Sequence, residues 1–360
     1  MQSGSSLSSG VRRNMITLCR ITVAVTFVLL ALAFLNERGK LRRTTLTSTA
    51  RPSYDLQIAT LPGFPFSSVT ALNNQGTAVG IAWTEEMDEI HSFIWRDGKA
   101  VELKRPSGIR HCIAVDINDR GDVVGAGMKD SGPVVGIIWG ADRKTTIIAL
   151  KNQMVFPQSI NNAGTVSGLY QTTESDSALK GFLWTAGKLR EIGAFQPLSL
   201  NDADDMAGVR FTGAGEKSRI EPVLYQKDKR LTILPRPRGF DHGLAYDINS
   251  RSDCVGGVFG QETTIQAVLW ESGKARFLSS RPSLAYGVND AGQAVGLAVR
   301  DFYYEAALWD GKQEIFLNDT VSRRAGWNLF AAIRVNQRGQ IVGLATKGDL
   351  SQGFLLTPRK

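Results

Sequence analysis

The stretch A-V-D-I-N-D-R-G-D-V-V-G-A at residues 114–126 decides the fold, because a shorter form of it occurs seven times in this chain. Each copy has an apolar residue, then Asn, two variable residues, usually Gly, and a second Gly seven positions after the Asn. Recurrence at about 40 to 50 residues indicates a repeat architecture. The repeated residues are Asn73, Asn118, Asn161, Asn201, Asn249, Asn289 and Asn336, at steps of 45, 43, 40, 48, 40 and 47 residues.

Each unit reads as a hairpin followed by two further strands. In the second unit, residues 114–117 and 122–126 are short apolar strands on either side of a tight turn, where Asn and Gly favour a bulged hairpin. Residues 135–139 and 145–150 follow as third and fourth strands, and most units carry an aromatic residue at the end of the third strand. Four short strands with an aromatic residue at a fixed place predict a propeller blade.

The two ends of the repeat region indicate how a ring of such blades closes. The seventh unit stops after its third strand, whereas residues 54–61 form an additional strand before the first unit. That strand can complete the last blade and remove exposed sheet edges. We therefore predict an all-β fold over residues 54–360: a seven-bladed β-propeller of four-stranded antiparallel blades, closed by its N-terminal strand. An open β-solenoid is the alternative.

Residues 1–35 differ from the repeats and are typical of an export segment. Three arginines precede the apolar run 21–35, and cleavage of a secretory signal peptide fits after Ala33. The alternative is an uncleaved membrane anchor over about 16–35, since roughly 20 apolar residues span a bilayer. Residues 36–53 are predicted to be a solvated linker. On either interpretation we expect an exported domain that is periplasmic, extracellular or membrane-anchored and facing outward.

Units of the form F-L-W, then G-K, then L, then A-x-x-I-N-x-x-G-x-V-V-G resemble the HAF repeats of bacterial extracellular proteins. The resemblance covers about residues 54–356. The stretch H-S-F-I-W at 91–95 comes closest to the tripeptide that names the family, and other units have G-F-L-W, A-V-L-W or A-A-L-W instead. The resemblance implies an exported repeat protein. It transfers no catalytic residue, because the shared positions are structural.

Composition and motifs exclude several classes of function. The net charge is +8 and falls to +5 without residues 1–33, which suits an acidic partner but is too modest to indicate nucleic acid. The sequence has no H-x-x-x-H or C-x-x-C pair, and Arg120 stands where a calcium loop needs an acid or Asn. We expect no metal and no cofactor. The repeated Asn residues are predicted to close turns, and the repeated Trp residues to pack between blades.

Residues that vary between units are the better guide to function. In a propeller the loops from fourth to first strands and from second to third strands share one face, here called the loop face. Its fourth-to-first loops are basic, and its second-to-third loops mix acidic and aromatic residues. Such residues pair with carboxylate or phosphate and stack on rings, although ordinary solvated loop charges are the alternative. The predicted binding residues are Arg105, Arg110, His111, Arg236, Arg238, His242, Arg281, Tyr303, Tyr304, Arg323, Arg324 and Trp327.

These observations favour a non-enzymatic, monomeric propeller that binds a protein or glycan through its loop face. Membrane contact is expected only through the N-terminal segment, if that segment is uncleaved. The main alternative is a carbohydrate-active enzyme or lectin with a site at the mouth of the central channel. A glycosidase needs a pair of carboxylates, and the acids expected near the mouth are Asp116, Asp241, Asp301 and Glu305. A purely structural envelope protein is the third possibility.

Overall fold

The computed structural model describes residues 52–172, 179–213, 218–260, 265–322 and 324–359. These residues form 28 strands and one 3-10 turn at Leu317–Asp319. The strands make seven four-stranded sheets, and every neighbouring pair within a sheet is antiparallel. The sheets are the seven blades of a β-propeller, so the predicted fold is confirmed.

The strands are numbered β1 to β28 in chain order, and the first strand of each blade lies at one edge of its sheet. The first three blades are β2 (Phe66–Leu72), β3 (Ala78–Trp83), β4 (Ile90–Arg96) and β5 (Lys99–Glu102); β6 (His111–Ile117), β7 (Val123–Met128), β8 (Val135–Trp139) and β9 (Thr145–Ile148); and β10 (Gln153–Ile160), β11 (Val166–Thr172), β12 (Lys180–Thr185) and β13 (Lys188–Gly193).

The fourth to sixth blades follow the same plan. They are β14 (Gln196–Leu200), β15 (Met206–Thr212), β16 (Arg219–Tyr225) and β17 (Leu231–Ile233); β18 (His242–Ile248), β19 (Cys254–Phe259), β20 (Ile265–Glu271) and β21 (Lys274–Phe277); and β22 (Ser283–Val288), β23 (Ala294–Arg300), β24 (Tyr303–Asp310) and β25 (Gln313–Phe316). The seventh blade is β26 (Asn328–Val335), β27 (Ile341–Lys347), β28 (Leu350–Pro358) and β1 (Tyr54–Ala59).

The N-terminal strand closes the ring as predicted. β1 pairs antiparallel with β28 from Tyr54 opposite Pro358 to Ala59 opposite Gly353. The closure is reinforced beyond the ladder by an ion pair of 2.7 Å between Arg359 Nε and Asp55 Oδ1. The seventh blade therefore contains both ends of the propeller.

Each repeated Asn closes its hairpin turn and also joins two blades. Its Oδ1 accepts the backbone N–H four residues later, at 2.9–3.0 Å in all seven turns. Its Nδ2 donates to the backbone carbonyl of the repeated Asn in the next blade, at 3.0–3.3 Å. The last of these bonds runs from Asn336 back to Asn73, so the seven side chains form a closed ring. The face that carries this ring is called the Asn face below.

The second Gly of the motif is required by a bulge in the neighbouring strand. In every blade the first strand has a register shift just before its Asn turn, as between Ala245 and Asp247 of β18. A Cβ on the second Gly would lie only 1.9–2.4 Å from a carbonyl oxygen of that strand. No side chain fits at this distance. The glycines concerned are Gly80, Gly125, Gly168, Gly208, Gly256, Gly296 and Gly343.

The repeated Trp residues pack between blades, as the sequence predicted. Trp139 and Trp270 are buried, and the indole N–H of each donates to a carbonyl that follows the fourth strand of the preceding blade. The acceptors are Lys104 O at 2.9 Å and Pro235 O at 2.7 Å. The propeller is therefore held together by Trp side chains packed between its blades as well as by the hydrogen bonds of the repeated Asn residues.

The predicted export segment at 1–35 and nearly all of the linker at 36–53 lie outside the described residues. Within the part of the chain that the structure describes, no helix is long and apolar enough to cross a membrane.

Candidate binding face

The loop face lies opposite the point where the chain enters the propeller. β1 begins at Tyr54, which pairs with the last residue of β28, and that end of β28 lies on the Asn face.

Eight of the 42 Lys and Arg residues and one of the 34 Asp and Glu residues precede residue 52, which leaves 34 basic and 33 acidic residues in the propeller. The positive charge expected for an acidic partner thus belongs mainly to the N-terminal region, and any preference of the propeller depends on how its charges are distributed.

Four arginines lie on neighbouring segments where the fourth blade meets the fifth, namely β15, β16 and the loop that follows β17. This group, the blade-four arginine cluster, consists of Arg210, Arg219, Arg236 and Arg238. Arg210 donates from Nε and Nη2 to Glu221 Oε2 at 2.9 and 2.7 Å, because Arg210 on β15 and Glu221 on β16 are cross-strand partners. Among the described residues, two guanidinium groups approach this single carboxylate, those of Arg210 and Arg236.

Arg236 approaches the same carboxylate without bonding to it. Its Nη1 lies 4.0 Å from Glu221 Oε1, is buried, and has no hydrogen-bond partner among the described residues. The loop that carries Arg236 is fixed to the hairpin by the backbone bond from Leu234 N to Pro222 O at 2.8 Å. Arg238, two residues further along, is exposed. The cluster thus has an unused buried donor and an exposed cation beside it.

Aromatic side chains border the cluster. The ring of His242 stacks on Phe259 at 5.3 Å, and its Nδ1 accepts the backbone N–H of Ile220 at 3.2 Å. Phe240 contacts Phe277, with ring centroids 5.5 Å apart. Phe211 at the end of β15 is 57% exposed and Phe277 is 38% exposed. Arg236 and Arg238 therefore lie on the loop that joins the fourth blade to the fifth, and His242 lies at the end of that loop, near Arg210, Glu221 and Phe211, which the sequence did not identify.

The predicted residues between the first and second blades are held by neighbouring groups. Arg105 Nη1 donates to Arg110 O at 2.8 Å, and Arg110 pairs with Asp130 at 3.3 Å. His111 is buried, and the described residues offer no partner for its Nδ1. Burial lowers the pKa of His111, and the nearby Arg110 and Arg105 lower it further, so its imidazole stays neutral at neutral pH.

The acidic sector that the sequence predicted lies in the second-to-third loop of the first blade. This loop has a run of exposed carboxylates, with Glu102 of β5 close by; Glu102 contacts His91 Nδ1 at 2.6 Å. The loop acids are Glu85, Glu86, Asp88 and Glu89. The second-to-third loop of the third blade also has an acidic stretch, E-S-D at 174–176, which lies outside the described residues. In a ring of seven, the first blade stands opposite the junction of the fourth and fifth, so the loop face has an acidic side and a basic side.

The predicted residues of the last two blades mainly stabilise the fold. Arg281 lies 3.5 Å from Glu314, and Arg324 Nη1 donates to Asn318 Oδ1 at 2.7 Å. Trp327 packs against the core of the sixth and seventh blades. Arg323 lies outside the described residues, so its predicted role is untested.

The two tyrosines at the start of β24 are half-buried. Tyr304 packs against the buried cluster that contains Tyr286. Tyr303 precedes it at the edge of the loop face. Of the two, Tyr303 is thus the one placed at the edge toward a partner.

Two of the four acids considered for a glycosidase are committed to structural bonds. Glu305 is buried and accepts bonds from Arg300 at 2.6 Å and from Asn318 Nδ2 at 2.9 Å. Asp116 accepts a hydrogen bond of 2.7 Å from Ser159 Oγ of the next blade, and burial raises the pKa of Asp116. Across the described ranges, no three His, Cys, Asp or Glu side chains are grouped to hold a metal ion.

Sequence reasoning missed Arg210, Glu221 and Phe211 because their proximity depends on strand register. The bulge-free pairing of β15 with β16 places Arg210 directly opposite Glu221. The only signal in the sequence is a basic and an acidic residue equally far from a hairpin loop, which is weak without the register.

Comparison with known proteins identifies the fold. No family model and no curated protein sequence matches the chain. The chain is similar to the β-propeller domain of the Trilobed protease from Pyrococcus furiosus, which has an open Velcro topology (TM-score 0.50, 13% identity, 68% of this chain and 82% of that one). It is also similar to YCF48 bound to D1 peptide (0.51, 10%, 88% and 98%) and to oligogalacturonate lyase in complex with manganese (0.54, 8%, 86% and 97%).

At these identities the likeness concerns the fold alone. The resemblance to HAF repeats stays a prediction, since no family model matches. The chain is a seven-bladed β-propeller whose ring is closed by its own N-terminal strand.

Proposed function

We propose that this chain is an exported, non-enzymatic propeller that holds a partner protein on its loop face. The observation that carries the proposal is the blade-four arginine cluster, in which Glu221 is the one carboxylate among the described residues in ion-pair contact with the arginines. Guanidinium groups in excess attract a carboxylate-bearing partner and bind it in a bidentate manner. Arg and aromatic residues also dominate the binding energy of protein interfaces.

The unpaired donor on Arg236 supports a charged occupant. A buried N–H group without an acceptor costs about 1–3 kcal/mol, and more when it is charged. Because this Nη1 is buried in the free chain, a partner carboxylate would reach it only after the Arg236 side chain turns outward toward the exposed Arg238, and there it would satisfy the donor and neutralise the excess charge. The bordering Phe211 and Phe277 would then cover apolar parts of the same segment.

One neighbour in fold space supports this type of partner. YCF48 was solved with a bound D1 peptide, so the same fold can hold a peptide. Export, predicted from residues 1–35, would place the partner outside the cytoplasm. An acidic glycan is the second candidate, because the same guanidinium groups and aromatic rings suit uronate sugars.

Charge reversal on the two faces tests the proposal. The chain is immobilised and exposed to envelope extract of its own host, and the bound proteins are compared between wild type and the double variant Arg236→Glu/Arg238→Glu. The matched control is Lys188→Glu/Lys312→Glu, which reverses two exposed lysines on the Asn face. We expect the loop-face variant to lose a specific protein at least about tenfold and the control to keep it.

Equal binding by both variants would show that the arginine cluster is not the site. The alternative is tested in parallel by incubating the chain with a panel of acidic polysaccharides and measuring both binding and product formation. Turnover that is lost in Asp241→Asn or Asp301→Asn would replace the binding proposal with an enzymatic one.

A further inference from the structure

Four successive blades each present one large exposed apolar side chain in the same kind of loop. These residues border the second-to-third loops of the fourth to seventh blades, all on the loop face. They are Phe211 (57% exposed), Ile265 (37%), Phe302 (98%) and Leu350 (38%). The corresponding loop of the first blade has a run of four carboxylates instead. These four side chains, called the apolar tips below, therefore lie along one arc of the loop face.

Phe302 is held in a backbone conformation that a bulky residue avoids. It forms, with Asp301, the two-residue turn between β23 and β24, where φ is 50° at Asp301 and 72° at Phe302. Hairpin turns with both φ values positive normally use Gly, Asn or Asp, because a larger side chain is strained there. With 98% of Phe302 exposed, contacts within the chain do not compensate for this strain. Such an outlier points to a contact outside the chain.

The groups around Phe302 and Leu350 are those of a membrane interface. Trp327 and Tyr303 lie in neighbouring segments of the loop face, and the Lys347 ammonium stands 5.9 Å from the Trp327 ring. Trp and Tyr with nearby Lys and Arg are enriched at the boundary between lipid and water. Arg281 and Arg300 of this arc are ion-paired with Glu314, Glu305 and Asp319, and Lys347 is exposed beside the tip acids Asp301 and Asp349.

The spacing of the tips favours a lipid surface over a protein partner. The energetically dominant residues of a protein interface cluster at one desolvated centre. Here the apolar side chains are separated by whole blades and by basic loops, while the shared loop position puts them at the same face. A fluid bilayer accepts dispersed groups that lie in one plane.

We infer that the arc of the loop face around Phe302 and Leu350 docks on a phospholipid surface. The two side chains enter the acyl boundary, and Lys347 faces the lipid phosphates. The sequence had suggested membrane contact only through the N-terminal segment. This surface is separate from the blade-four arginine cluster, so the two proposals can fail independently.

Vesicle flotation with residues 52–360 tests the inference. This segment contains all seven complete blades, including the closing strand, and omits the apolar run that would itself enter lipid. The vesicles are a two-to-one mixture of phosphatidylcholine and phosphatidylglycerol. We expect binding that falls roughly fivefold to twentyfold in Phe302→Gly, because a buried aromatic side chain is lost. Leu350→Ser should weaken binding in the same direction.

The stability of Phe302→Gly provides a second readout. Since Gly relieves the positive φ, the melting temperature should stay the same or rise by about 2 °C while lipid binding falls. The matched control is Val101→Ser, which removes a side chain that is 66% exposed on the outer strand β5. It should bind vesicles like wild type. Arg236→Glu/Arg238→Glu should also keep most of the lipid binding.

Three results would overturn the inference. The first is no flotation of the wild-type propeller. The second is undiminished flotation of Phe302→Gly, and the third is a fall in its melting temperature that would make Phe302 a structural residue. Self-association that disappears in Phe302→Gly without any vesicles would instead assign the arc to a contact between copies of the chain.

Discussion

Each repeated Asn uses both ends of its amide. In Asn73 the Oδ1 accepts the N–H groups of Gln75 and Thr77 at 3.1 and 2.9 Å, and the Nδ2 donates to Asn118 O at 3.1 Å. The first pair of bonds shapes the turn, and the third joins two blades. Asp or Ser could supply the acceptor, but only a side-chain amide combines it with the donor in this position. That is why the residue is Asn in all seven turns.

Asn73→Asp separates the two roles. The acceptor is kept, but at neutral pH a carboxylate oxygen faces the carbonyl of Asn118. We expect a loss of about 1–3 kcal/mol in the free energy of unfolding, measured by urea denaturation. Because burial raises the pKa of such a carboxyl, the protonated form can donate again and part of the loss should be recovered as the pH falls. Stability equal to wild type at pH 7 would mean that the ring bond contributes nothing.

His111 predicts a pH dependence of stability. Its pKa is lowered in the fold by burial and by Arg110 and Arg105. The unfolded chain therefore binds the proton more readily, so the stabilisation is complete above the unfolded pKa of about 6.5 and is lost as the pH falls below it. The stability of wild type relative to His111→Gln should decrease between about pH 7.5 and pH 5.5. A constant difference in unfolding free energy across this range would contradict the assignment.

At the scale of the element, the hairpin and its bulge explain which glycine is invariable. The first Gly of the motif supplies a positive φ, which other residues tolerate: Asp204 and Ser252 stand there with φ of 64°. The second Gly leaves room for the carbonyl of the bulged strand, which no side chain tolerates. The first glycine position thus requires a positive φ, whereas the second requires the absence of a side chain.

Substitutions at the two positions should differ accordingly. In Gly256→Ala the new Cβ would lie 2.0 Å from Leu244 O, and we expect a loss of about 3 kcal/mol or more. The matched control, Gly121→Asp, copies the residue already present in the fourth blade and should cost about 1 kcal/mol or less. Thermal unfolding of both variants checks the order, and equal losses would refute the steric explanation.

The fold could be predicted from the sequence more completely than the candidate site. The blade count, strand order and closure were predicted because Asn, Gly and Trp recur wherever the backbone demands them. The site was predicted only in part. Arg236, Arg238 and His242 were identified as loop residues, but the approach of Arg236 to the carboxylate that pairs with Arg210 depends on the register of β15 with β16. Arg281, Arg324 and Trp327 were also selected, although their contacts are largely structural, because loop position alone does not reveal a partner within the fold.

For the whole molecule, closure by β1 makes the propeller one cooperative unit. β1 covers the edge of β28 and buries Tyr54 and Ala59. A chain that begins at residue 60 should lose the cooperative thermal transition, because the seventh blade would expose an unpaired strand. Added peptide 52–61 should restore the transition, whereas a scrambled peptide should not. A cooperative transition in the shortened chain without the peptide would show that closure is dispensable.

The two faces of the ring carry different groups. The Asn face carries the hydrogen-bonded ring and the entry of the chain, and the loop face carries the arginine cluster, the acidic sector and the apolar arc. The central claim is that partners meet the loop face.

Site-specific photocrosslinking in the producing cell tests this claim most directly. A photoreactive residue is placed at Arg238 or Phe302 on the loop face and at Lys188 or Lys312 on the Asn face, all of which are exposed. We expect defined crosslinked products from the loop-face positions, to protein at Arg238 and to lipid at Phe302, and none from the Asn face. Products that form only from Lys188 and Lys312 would contradict the account.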